Sequence, residues 1–225
     1  MKENREKLIV VRKRLLTALI LNLIIFTGLA QKRKSFEGKI VFETHSSFDS
    51  IFNKGESQLT EVYIKNGKTR SENFSPQGKI SVTIMDNINN TSINLIEKDG
   101  KKWAIKSTTF SNETNMNDVK VVLSKETKKI AGYVCERVEL INKTENSSPG
   151  FIVYFTRDFA PQEFEIFHSA MLKEIDGLIL EIQMPFFNMI SSAKTISIEK
   201  IPNEKFTIPK GYKEISEEEY KKLKK

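Results

Sequence analysis

Two histidines, one cysteine and a scatter of carboxylates are the side chains of this 225-residue chain whose types could do chemistry. His45 stands where a strand-like stretch runs into a polar loop. His168 sits beside Phe167 in an apolar stretch, the setting of a packed or boundary imidazole rather than of a base. Cys135, preceded by Val134 among β-branched residues, reads as a small core residue. A zinc centre wants three or four ligands at recognisable spacing, and two His and one Cys far apart do not supply them. Asp49, Asp86, Asp99, Asp118 and Asp158 fall in turns, where Asp is the ordinary choice. No Gly-rich phosphate loop, Gly-x-Ser-x-Gly elbow or Cys-x-x-Cys pair occurs. The expectation is a protein that is not an enzyme, with no catalytic residues, no metal and no cofactor. A hydrolase would require the fold to bring a carboxylate to one of the two histidines.

What the sequence does concentrate is apolar surface of a deformable kind. Phe164, Phe167 and Met171, with Met184, Phe186, Phe187 and Met189, form a Phe/Met set suited to a loosely specified apolar ligand. These seven are the candidate ligand-binding residues. The bland alternative is that the same side chains are simply core beneath a curved sheet, and both uses stay open. The expected partner is a hydrophobic small molecule or acyl chain. The alternative is an envelope or secretion protein that docks on the segment Pro185–Ile190.

Strands must position most of these residues. Phe36, Ile40 and Phe42 alternate with Glu37, Lys39 and Glu43, the period of a strand with one wet face. Hairpins are written at Asn66–Gly67, which tolerates the positive φ angles of a tight turn, and at Asp99–Gly100. Ile80, Val82 and Ile84 alternate between them. The stretch Lys129–Leu140 reads as one strand, with Gly132 marking a bulge or close backbone approach. Phe151–Thr156, Leu178–Met184 and Thr195–Ile201 are further strands. From Pro161 the period changes: Phe164, Phe167, Met171, Leu172 and Ile175 recur at helical steps, predicting a main helix that ends at Gly177. Ser216 and Glu219 form a capping box for a short C-terminal helix.

The first thirty residues differ in composition. A basic stretch ending Arg12-Lys13-Arg14 precedes the apolar run Leu15–Ala30, which closes on small residues and reads as a secretory signal peptide over 1–30. The alternative is an uncleaved anchor helix, against which the run, at sixteen residues, is short of the roughly 20 needed to cross a bilayer. Residues 1–30 hold six Lys or Arg against two Glu, +4 of the formal +7, which leaves +3 on residues 31–225. That charge, without a basic stripe interleaved with aromatics, argues against nucleic acid. Residues 31–225 suit a single domain that can bury about 70% of its unfolded surface without disulfides. Oligomeric state is not specified by the sequence.

Several of these stretches together resemble a known family. Ile130–Cys135, Val153–Asp158, Gly177–Ile182, Ser197–Lys200 and Phe206–Tyr212 occur in the order seen in a domain-of-unknown-function family of exported bacterial proteins. That family is grouped with the LolA-like outer-membrane lipoprotein carriers, and Gly177–Ile182 is also similar to the GLPGLI group. The resemblance spans roughly residues 36 to 215. It implies an α+β fold: a strongly curved antiparallel β-sheet, an incomplete LolA-like barrel, with one main helix against its concave face. It implies periplasmic or outer-membrane location, no established activity and no catalytic residues. Joined to the Phe/Met set, it gives the expectation of a non-enzymatic envelope protein holding lipid or a lipoprotein acyl chain between sheet and helix.

Overall fold

A computed structural model describes residues 33–46, 57–76, 78–108, 119–142, 149–161 and 175–223. The chain divides into two units, Met1–Arg33 and Lys34–Lys225, and the described strands all belong to the second. Twelve strands form one sheet: β1 Gly38–Ser46, β2 Ser57–Lys65, β3 Lys68–Ser75, β4 Gly78–Asp86, β5 Thr91–Lys98, β6 Lys101–Thr108, β7 Val119–Ile130, β8 Tyr133–Asn142, β9 Pro149–Thr156, β10 Leu178–Met184, β11 Met189–Ile198 and β12 Lys213–Ser216. Their spatial order is β12-β6-β5-β4-β3-β2-β1-β11-β10-β9-β8-β7. Two antiparallel meanders, β1 to β6 and β7 to β11, are thus sewn together where β1 pairs with β11.

The expectation of an α+β fold with a main helix against the sheet is overturned. The described residues are nearly all strand, in an open and mostly antiparallel sheet, and their one α-helix is the short α1, Glu217–Leu223. Of the stripe that predicted the main helix, 162–174 lie outside the described residues, while Ile175 is fully buried in irregular chain just before β10. Apolar residues at helical steps do not by themselves fix a helix, since a residue such as Ile175 is buried just as fully from irregular chain. The N-terminal stretch 1–30, read as a signal peptide, also lies outside the described residues.

Lys129–Leu140 also departs from the expectation. It is not one strand but the end of β7, a two-residue turn and β8, with Ala131 at φ 47° and Gly132 at φ 94°. Both turn residues lie in the left-handed region that a tight hairpin demands. An added Cβ at Gly132 would meet nothing, so the glycine serves the backbone angle and not a close approach. Asn66–Gly67 and Asp99–Gly100 make turns of the same kind, as their sequences predict. At the C-terminus Ser216 Oγ accepts from the Glu219 amide (3.1 Å) and Glu219 Oε2 accepts from the Ser216 amide (2.7 Å), which is the expected capping box.

Each strand turns alternate residues to opposite faces, so register decides what shares a face. Ile40 lies opposite Val62 on β2 and Ile196 on β11, and this first face carries the main core: Phe36, Ile40, Ile64, Val138, Leu140, Val153 and Phe155, joined by Leu178–Leu180. Each large side chain buried there contributes about 1.5–3 kcal/mol of transfer free energy. Val82, Ile84, Leu95 and Ala104 form a smaller cluster on the second face of β4 to β6, covered by Ile201 and Phe206 from the segment that crosses to β12. That segment is clamped by Lys65 Nζ donating to the Ile201 carbonyl (2.6 Å) and by Arg70 Nη1 donating to the Lys205 carbonyl (3.2 Å). The crossing explains why β12 joins β6 in parallel while its neighbours are antiparallel.

Candidate functional site

On the first face, beyond the main core, lies a cleft of about 250 Å³. Its walls come from five adjacent strands: β3, β2, β1, β11 and β10. One wall is apolar, with Phe42, Ile182, Met184 and Met189; the other is hydroxyl and amide, with Gln58, Thr60, Ser71 and Asn73. The strand pairing builds this division directly. Phe42 lies opposite Thr60, Thr60 opposite Asn73, Ile182 opposite Ser191 and Met184 opposite Met189. Between the walls Thr44 Oγ1 donates to Ser191 Oγ (2.9 Å). On the polar side Thr60 Oγ1 donates to Asn73 Oδ1 (2.8 Å), and Asn73 Nδ2 donates to Ser81 Oγ (3.0 Å). These bonds fix the amide and leave the Gln58 and Ser71 side chains on the same wall. None of the described residues lining the cleft is ionisable.

The sequence-predicted ligand set is divided by the structure. Phe164, Phe167 and Met171 lie outside the described residues. Met184 and Met189 line the cleft from the two sides of the β10–β11 hairpin. Phe186 and Phe187 ride the single 3-10 turn Pro185–Phe187 between them, 82% and 46% exposed, with their rings edge-to-face at 5.1 Å. Neither contributes to the cleft wall. Gln58, Thr60, Ser71 and Asn73 carry no signal in the sequence, since strands with one wet face display such residues everywhere.

The remaining chemistry-bearing groups are elsewhere. His45 Nε2 lies 3.7 Å from Glu43 Oε2, on a side chain 63% exposed at the end of β1. Ser57 donates to Glu43 Oε1 (3.2 Å), not to the imidazole. A nucleophile–base relay needs the imidazole between hydroxyl and carboxylate, and here the carboxylate occupies the middle. His168 lies outside the described residues. Cys135 is fully buried, and burial first, with the Glu181 carboxylate second, pushes its thiol up to about 11, as suits an inert core residue. No group of three His, Cys, Asp or Glu among the described residues could hold a metal ion.

On β1 to β4, β10 and β11 the charged side chains lie on the second face. Glu181, 1% exposed, accepts from Lys128 Nζ at 2.8 and 2.7 Å, from Gln183 Nε2 at 2.7 Å and from Ser192 Oγ at 2.7 Å. Burial works to raise its pKa, and these donors more than offset it, so the carboxyl is held below its ordinary value. Glu72 is held at about 2: burial opposes ionisation, and the Lys79 and Arg70 contacts outweigh it. Every donor the buried carboxylates need is present, and the network ties strands together.

No protein-family model and no curated protein matches the chain. The solved structure of PNGF-II in space group P21 is similar, with a TM-score of 0.50 and 14% sequence identity over 84% of this chain and 33% of that one. The chain therefore spans a third of the length of the protein it matches. At such identity the likeness is one of fold.

Proposed function

We propose that this is a non-enzymatic protein that holds a hydrophobic cargo, a lipid or lipoprotein acyl chain, in the cleft between Met184–Met189 and Gln58–Asn73. The observation that carries the reading is the cleft itself, with its Met/Phe/Ile wall and its lack of ionisable lining among the described residues. At about 250 Å³ it falls a little under the roughly 300–1,000 Å³ of small-molecule sites, which suits one chain rather than a whole lipid. The basic stretch and apolar run of residues 1–30 support export to the periplasm or outer membrane, by cleavage or as an anchor, and the order of motifs from Ile130 to Tyr212 supports kinship with LolA-like carriers.

The test is uptake of the uncharged fluorophore N-phenylnaphthylamine. Saturable enhancement is expected, lost by tenfold or more in affinity when Met189→Glu puts a carboxylate in the apolar wall, about the least that an unpaired buried charge costs. No enhancement, together with no lipid in organic extracts of protein purified from cells, would end this reading.

A second reading rests on Phe186 and Phe187, whose exposure on a turn between two strands is that of a docking knob for an envelope protein. The double variant Phe186→Ser, Phe187→Ser separates the two. Loss of N-phenylnaphthylamine uptake assigns the pair to the cargo site, and unchanged uptake leaves it to a protein partner.

A further inference from the structure

The five strands that wall the cleft and the adjoining β4 contain six Lys or Arg: Lys39, Lys65, Lys68, Arg70, Lys79 and Lys194. All six are turned from the cleft and bound to acids of the second face. Lys39 meets Glu61 (3.1 Å), Lys65 meets Glu37 (3.4 Å), Lys68 meets Asp86 (3.2 Å), Arg70 meets Glu72 (2.6 Å), Lys79 also meets Glu72 and Lys194 meets Glu43 (3.1 Å). The acids of the same strands are therefore consumed on that side too, as is Glu181 by Lys128. Lys194 is the telling case. It is the extra residue of a bulge between Ala193 and Thr195, where alternation does not dictate the side, and its ammonium still goes to Glu43.

Where these strands line the cleft, the described residues are thus polar without being charged: Thr44, Gln58, Thr60, Ser71 and Asn73 offer hydroxyls and amides, and the Lys, Arg and acids of the same strands face the other side of the sheet. Such groups donate and accept single neutral hydrogen bonds and leave a carboxylate, phosphate or ammonium without a counter-charge. Resting on the cargo reading above, we propose that the cleft selects amphiphiles with an uncharged, hydroxylated headgroup, the apolar chain along Met184 and Met189 and the head on Gln58, Ser71 and Asn73.

Displacement of bound N-phenylnaphthylamine at neutral pH tests this. The competitors are a medium-chain monoacylglycerol, the fatty acid of the same chain length and the alkyltrimethylammonium of that length. The monoacylglycerol is expected to displace at a concentration about tenfold lower than either ion, since an unpaired charge at the polar wall forfeits at least that much. Ser71→Lys, which puts an ammonium on that wall, is expected to reverse the order in favour of the fatty acid. A wild-type cleft that binds the fluorophore but prefers either ion, or treats all three alike, overturns the headgroup assignment alone. A cleft that binds no fluorophore overturns the cargo reading beneath it.

Discussion

Met184 and Met189 stand directly opposite each other across β10 and β11, and both turn into the cleft while the two phenylalanines on the turn between them stay exposed. The pair therefore does two jobs that the flanking rings do not: it closes the apolar wall and it adjoins the main core, to which Met184 belongs and against which Met189 packs. Met184→Ala is expected to lower stability by about 2–5 kcal/mol, the range for truncating a buried Met. Phe186→Ser is expected to stay within about 0.5 kcal/mol, as an exposed position should. Urea midpoints of the two variants check the contrast.

Acid should weaken this fold through carboxylates such as Glu72 and Glu181. Each has a folded pKa depressed from the ordinary value of 4.5, Glu72 to about 2. A depressed carboxyl contributes stability that is fully present above its unfolded pKa and is lost as pH falls through the folded one. Unfolding free energy measured by urea should therefore fall as pH drops from about 4.5 towards about 2. Glu72→Gln should flatten that slope.

Lys128 on β7 reaches Glu181 on β10 with two strands between them, so the sheet is rolled tightly at this end. Lys128→Met removes the charged donor and leaves the carboxylate to Gln183 and Ser192, a loss of about 1.5–3 kcal/mol for a hydrogen bond to a charged group. Adding Glu181→Leu should recover part of that loss, because the buried charge goes with its partner. A double-mutant cycle in urea measures the coupling.

Gly177 enters β10 hard against β9. A Cβ there would lie 2.1 Å from the Thr156 carbonyl oxygen and 2.8 Å from the Phe155 ring. Gly177→Ala is expected to cost about 1–3 kcal/mol or more, because backbone must shift to admit it. A drop in melting temperature checks this.

Strands are legible in the sequence where local chemistry speaks. Asn66–Gly67, Asp99–Gly100, the alternation through Ile40 and Phe42 and the Ser216 cap all announce themselves within a few residues. The turn at Ala131–Gly132 does not, because alanine at positive φ is no turn signal, and the stretch reads as one strand where there are two. The α+β expectation gives a five-residue stripe the weight of a structural layer, while the Lys-rich β7 hides its strand character behind a solvated side. The cleft is half legible. Met184 and Met189 stand out by type, but Thr44 and Ser191, which join its walls, are 147 residues apart, and no local pattern reveals a pairing across that distance.

Photolabelling reads where the cargo sits. An uncharged alkyl diazirine bound to the purified protein is expected, after irradiation and peptide mass spectrometry, to mark the peptides that hold Phe42, Ile182, Met184 and Met189, and to lose that labelling in Met189→Glu. Labels confined to the Phe206–Tyr212 side of the sheet, or unchanged by that substitution, would contradict it.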